Sequence, residues 1–81
     1  GGAVYGDGNT FTTRIEGTRI EGNHANEGGG AVFFVSNDRS GDLVVEDSVL
    51  SDNPSDGFET SGYPGVFFLG RSITVDRSFL E

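Results

Sequence analysis

The chain is 81 residues long, with 13 acidic side chains against five arginines, no lysine, no cysteine and a formal net charge of −8. That balance argues against nucleic acid and anionic membrane as partners, since both reward clustered Lys and Arg. The missing cysteines exclude disulfide frameworks and thiolate metal sites. Leu, Ile, Val and Phe make up 22 residues, above the level typical of disordered chains, while 14 glycines without a three-residue period exclude collagen and point to tight turns.

Taken in chain order, the predicted elements come in three rounds. Gly1-Gly2 leads into a first strand at Ala3-Val4-Tyr5, followed by strands at Thr13-Arg14-Ile15 and Thr18-Arg19-Ile20. Gly28-Gly29-Gly30 leads into Ala31 to Val35, then Leu43-Val44-Val45 and Ser48-Val49-Leu50. Pro64-Gly65 leads into Val66 to Leu69, then Ile73-Thr74-Val75 and Ser78-Phe79-Leu80. Each is short and rich in β-branched or aromatic residues, with alternation in the second and third strands of every round, as half-buried strands require.

The second and third strands keep a thirty-residue register. Ile15, Val45 and Val75 align, as do Ile20, Leu50 and Leu80. Polar positions follow at the same interval: Glu16, Glu46 and Asp76; Thr18, Ser48 and Ser78; Asn23 and Asn53. A period of this length marks a solenoid, in which each repeat buries its apolar face only by stacking on its neighbours. Period-two geometry then sends Thr13, Leu43 and Ile73 inward with Ile15, Val45 and Val75, and turns Arg14, Val44 and Thr74 outward. In the third strands Ile20, Leu50 and Leu80 are expected inside, with Arg19, Val49 and Phe79 outside. Thr18, Ser48 and Ser78 are expected beside a corner, bonding to one another or to the turn backbone.

The fold class that follows is all-β: a solenoid of about three coils, roughly 1–27, 28–63 and 64–81, each with three short strands. Because Gly1-Gly2 starts in mid-repeat, the chain is expected to be an excerpt of a longer solenoid or one unit of an assembly. No segment has the pattern of a signal peptide, and the longest apolar run, Ala31 to Val35, is too short to cross a bilayer. The excess length falls in an insertion from Pro54 to Pro64, and insertions on one corner of a solenoid often form its binding face.

Gly1-Gly2-Ala3-Val4-Tyr5 and Gly29-Gly30-Ala31-Val32-Phe33, each paired with an Ile/Val-x-x-x-x-Ile/Leu-x-x-Asn stretch, resemble the GGA(I/V) and FxxN-type repeats of right-handed parallel β-helix proteins. Polymorphic outer-membrane proteins and autotransporter passengers carry such repeats. The resemblance spans nearly the whole chain and implies a right-handed parallel β-helix at an extracellular or cell-surface location. It bears on fold rather than activity, because that superfamily includes adhesins, fibres, pectin-degrading enzymes and phage tailspikes.

Candidate chemistry is sparse. Glu16, Glu46 and Asp76 would stand about 4.8 Å apart in successive coils, so the column needs a cation, a proton or an arginine to relieve it. Calcium is the hard cation suited to oxygen-only ligands, whereas Arg14 or Arg77 beside a solvated edge would serve without metal. Asp52, Asp56 and Glu59 form a second acidic group, read either as a calcium site or as a solvated loop. The glycine-rich Glu27-Gly28-Gly29-Gly30 lacks the GK[ST] and following helix of a phosphate loop. His24 reads as an exposed turn residue, and no serine has a matched His/Asp set. The polygalacturonase-type segments DD, GHG and RxK are absent. Phe33-Phe34 and Phe67-Phe68 must each send one ring outward, where it either stacks on sugar or is covered by protein. The expected function is therefore structural or adhesive, without catalysis: a stalk, adhesin passenger or self-associating fibre. Its contacts are expected at Asp56, Phe58, Glu59, Tyr63 and Phe79, and its partners are further coils, other copies or a glycan. A carbohydrate-active β-helix and a calcium-stabilised glycan-binding module are the competing readings.

Overall fold

The computed structural model describes residues 2–26, 28–57 and 59–81. Nine strands follow one another: β1 (Val4–Gly8), β2 (Thr12–Glu16), β3 (Arg19–Glu21), β4 (Val32–Ser36), β5 (Asp42–Glu46), β6 (Val49–Ser51), β7 (Val66–Leu69), β8 (Ser72–Asp76) and β9 (Phe79–Leu80). They form three parallel three-stranded sheets, ordered β1-β4-β7, β2-β5-β8 and β3-β6-β9. Every third strand is thus a neighbour, the connectivity of a β-solenoid. All three predicted strands per round are present, with bounds shifted by at most three residues and β7 as expected.

Register explains why the thirty-residue period is visible in only part of the sequence. Ile15 pairs with Val45 and Val45 with Val75, while Ile20 pairs with Leu50 and Leu50 with Leu80, each thirty residues on. In the first sheet Val4 pairs with Val32 and Val32 with Val66, offsets of 28 and 34. Loop lengths around that sheet differ between coils, and the strands themselves still align.

The corners repeat as well. Gly17, Asp47 and Arg77 sit at equivalent places between the second and third strands with φ of 57°, 49° and 47°. Gly22 and Asp52, just after β3 and β6, have φ of 68° and 54°. A left-handed residue lets an extended chain turn sharply, at no steric cost for glycine and some cost for Asp or Arg. The glycine pair before β4 has a different cause: a Cβ on Gly30 would lie 2.0 Å from the Asn53 carbonyl oxygen. Only glycine lets the backbone pass that close.

Alternation delivers the core. Phe34, Val32, Leu43, Val45, Leu50, Val66 and Ala31 are essentially inaccessible, and Ile15 and Ile20 nearly so. They form one cluster, with Val4, Phe11, Phe68, Ile73, Val75 and Leu80 packed against it half-buried. No helix among the described residues is long and apolar enough to cross a membrane.

Candidate contact surfaces

Two polar columns run along the stack. In the first, the Thr18 N–H donates to Ser48 Oγ at 3.1 Å and the Ser48 N–H to Ser78 Oγ at 3.0 Å. Each hydroxyl in turn donates to the carbonyl two residues back: Thr18 to Glu16, Ser48 to Glu46 and Ser78 to Asp76. Of the two arrangements expected, hydroxyl to hydroxyl or hydroxyl to backbone, the structure shows the second. In the other column, the backbone N–H and Nδ2 of Asn23 both donate to Asn53 Oδ1, at 3.1 and 3.0 Å. Asn53 Nδ2 donates to the carbonyls of Ile20 and Ser51, both at 2.9 Å. Asn53 is 3% exposed, and every polar atom of its amide has a partner, as a buried amide requires.

Glu16, Glu46 and Asp76 occupy successive register positions on the outer face of β2, β5 and β8. Arginine relieves the column at two places: Arg14 Nη1 pairs with Glu46, and Arg77 Nη1 lies 2.7 Å from Asp76 with Nη2 3.9 Å from Glu46. Arg77 also reaches one coil back to Asp47 at 2.7 Å, which lowers the Asp47 pKa and raises its own. A parallel bridge joins Arg71 to Asp42 at 2.6 Å, and Ser72 Oγ adds a hydrogen bond at 2.8 Å. Together they hold the Asp42 carboxyl at a pKa of about 2. Among the described residues no three His, Asp or Glu side chains converge on a point where a metal ion would sit.

Aromatic rings form two further columns. Tyr5, Phe33 and Phe67 stack on the outside of the first sheet with centroids 5.2 and 5.1 Å apart. Phe11, Phe34 and Phe68 stack on the inside at 4.6 and 5.2 Å. Phe11 belongs to no strand. It folds in from the β1–β2 loop over Gly6 and Gly8, whose missing side chains leave room for its ring. The Phe33-Phe34 and Phe67-Phe68 pairs each imply an outward ring, whereas the alignment of Tyr5 with Phe33 and Phe67 is concealed by the uneven offsets of that sheet. Phe11 had no periodic signal to reveal it.

The C-terminal part of the insertion is hydrogen-bonded to itself and to β7. Thr60 N–H donates to the Val66 carbonyl at 2.8 Å, Phe68 N–H to Thr60 Oγ1 at 2.8 Å, and Tyr63 and Val66 close successive turns. Tyr63 is drawn against the core cluster, so its ring serves the protein's own packing. Asp56 is exposed and lies 3.2 Å from His24 Nε2; Glu59 is exposed. Phe58 lies outside the described residues. Phe79 is exposed, on the outer side of β9. Asp52, Asn53, Glu59 and Glu81 line a concavity of about 470 Å³ at the end of the stack nearest β9. Asp52 and Glu59 thus share this concavity, whereas Asp56 pairs with His24.

The protein is thus an all-β arrangement of three parallel three-stranded sheets, solenoid-like in its connectivity, with columns of side chains running from coil to coil. Compared with protein-family models, with curated proteins and with solved structures, the chain matches none of them.

Proposed function

We propose that the chain is a segment of a right-handed parallel β-helix that acts as a structural or adhesive element, a stalk or fibre, at the cell surface. Right-handedness follows from the rule that parallel strands joined by a crossover within one sheet connect right-handedly in about 98% of cases. The surface location rests on the resemblance of the Gly-Gly-Ala-Val repeats to those of surface β-helix proteins.

The observation that carries the reading is the use made of the repeated residues. Apart from the acidic column of Glu16, Glu46 and Asp76, the series that recur at thirty residues join one coil to the next: the Ile/Val and Ile/Leu series in the core, Thr18-Ser48-Ser78 and Asn23-Asn53 in hydrogen-bonded columns. Repetition of this kind builds a rod, and the acidic exterior keeps it soluble. The test is incubation with neutral and acidic polysaccharides while release of reducing ends is followed. The expected result is no turnover. Turnover that disappears in Glu46→Gln or Asp76→Asn would replace this reading with a carbohydrate-active enzyme.

A further inference from the structure

We infer that Asp56-Gly57 is a site of spontaneous covalent modification, closing to a succinimide and reopening as isoaspartate, while the fold protects the same dipeptide at Asp7-Gly8. The inference goes beyond the structural or adhesive reading. It concerns the chemistry of the insertion.

Asp-Gly is prone to this reaction because glycine sets no side chain beside its own attacking nitrogen. The main-chain nitrogen of Gly57 bonds to Cγ of Asp56. A carboxylate oxygen leaves as water, taking the proton of that nitrogen and one from solvent. A second water then adds to either carbonyl carbon of the ring, the nitrogen regains a proton, and the product is aspartate or isoaspartate. Water is the only co-reactant.

The chain has two Asp-Gly pairs, and the structure holds them differently. Ring closure requires the aspartyl carboxyl and the next nitrogen to swing together about the bond from Cα to the carbonyl carbon. Asp7-Gly8 is fixed against that motion, since both residues lie in β1, in register with Val35 and Ser36 of β4. Asn37 clamps the pair further. Its Nδ2 donates to Asp7 Oδ1 and to the Gly8 carbonyl, both at 3.0 Å, and its N–H donates to that carbonyl at 2.7 Å. The Phe11 ring lies over Gly8.

Asp56-Gly57 has none of these restraints among the described residues. It forms an exposed bend outside every strand. Before it, Ser55 bridges Ala25, and the Asp56 N–H donates to the Ala25 carbonyl at 2.9 Å. After it, the next backbone hydrogen bond among the described residues runs from Thr60 to Val66. The Asp56 side chain is 68% exposed and meets His24, itself 52% exposed, at 3.2 Å. Exposed loops of this kind are where covalent change is tolerated.

Isoaspartate lengthens the main chain by one methylene between those two anchors and moves the carboxylate away from His24. The insertion, a corner suited to contacts, is altered with age, while the core and the columns between coils stay as they are.

Ageing the folded chain for weeks at physiological temperature in water enriched in heavy oxygen tests this, since each ring opening leaves one heavy oxygen at the residue. Peptide mass spectrometry and isoaspartyl methyltransferase labelling read the result. Asp56 should gain at least roughly tenfold more label than Asp7 in the folded chain, because strand opening must precede reaction at Asp7. In guanidinium chloride the two should agree within about twofold, because the unfolded chain holds neither. Asp56→Asn, which expels ammonia in place of water, should react faster. Asp56→Glu, whose ring would need six members, should gain no label at that position. A folded chain unlabelled at Asp56, or labelled alike at Asp7 and Asp56, overturns the inference. Label that persists in Asp56→Glu does so too, because it would enter by a route other than the succinimide.

Discussion

At the scale of single residues, two kinds of position carry measurable consequences. Asp52 adopts φ 54° where the equivalent residue one coil earlier, Gly22, adopts 68°, and its side chain forms no ion pair among the described residues. Glycine relieves the left-handed strain at a small entropic cost, so Asp52→Gly should stabilise the protein by about 0.5 kcal/mol in urea denaturation. Asp47 has the same backbone strain, but its carboxylate holds Arg77; Asp47→Gly should gain less or nothing. Asp42 sets the acid response. Its pKa is lowered to about 2 by hydrogen bonds from Arg71 and then Ser72, so its contribution is complete above the unfolded value near 3.8 and is lost as pH falls from about 4 towards 2. Asp47, lowered by Arg77, acts in the same sense. Thermal midpoints of the wild type should fall over that window, and Asp42→Asn should flatten the fall.

At the scale of elements, corners and strands divide the work. Asn53 makes four hydrogen bonds, two given and two received: three reach Asn23 and Ile20 of the preceding coil and one the Ser51 carbonyl of its own. Asn53→Ala would remove all four of these hydrogen bonds from a buried site and should cost about 2–3 kcal/mol, measured by chemical denaturation. Asn23→Ala removes a more exposed partner and should cost under about 1 kcal/mol. This distinction was half legible in the sequence: the thirty-residue spacing of Asn23 and Asn53 revealed the column, while the buried member of the pair emerges only when a coil stands on each side. The second and third sheets were readable for the same reason. Their strands are joined by corners of constant length, so period and register coincide. The first sheet follows loops of changing length, and its outer column of Tyr5, Phe33 and Phe67 was therefore hidden. Phe11 escaped notice because a ring from an irregular loop fills space left by Gly6 and Gly8, a tertiary relation without local pattern. The ion pairs of Arg71 and Arg77 likewise reach across coils to Asp42 and Asp47, residues twenty-nine and thirty positions earlier.

At the scale of the whole molecule, the middle coil carries the core. Phe34, Leu43, Val45 and Leu50 are buried to within 1% of complete, whereas Val4, Ile73, Val75 and Leu80 of the outer coils are half-exposed. Sheet pairing follows the same gradient, because β4, β5 and β6 have a strand on both sides and the others on one. Stability in a solenoid is close to a sum of coil and interface contributions, so the same substitution should differ in cost along the axis. Leu50 and Leu80 allow the comparison, being identical residues in direct register. Leu50→Ala opens a cavity enclosed by two coils and should cost about 2–5 kcal/mol, while Leu80→Ala trims a side chain already facing water and should cost less than half of that. Amide exchange in the wild type should report the gradient without mutation: slowest in β5, faster in β2 and β8, where opening exposes fewer buried contacts.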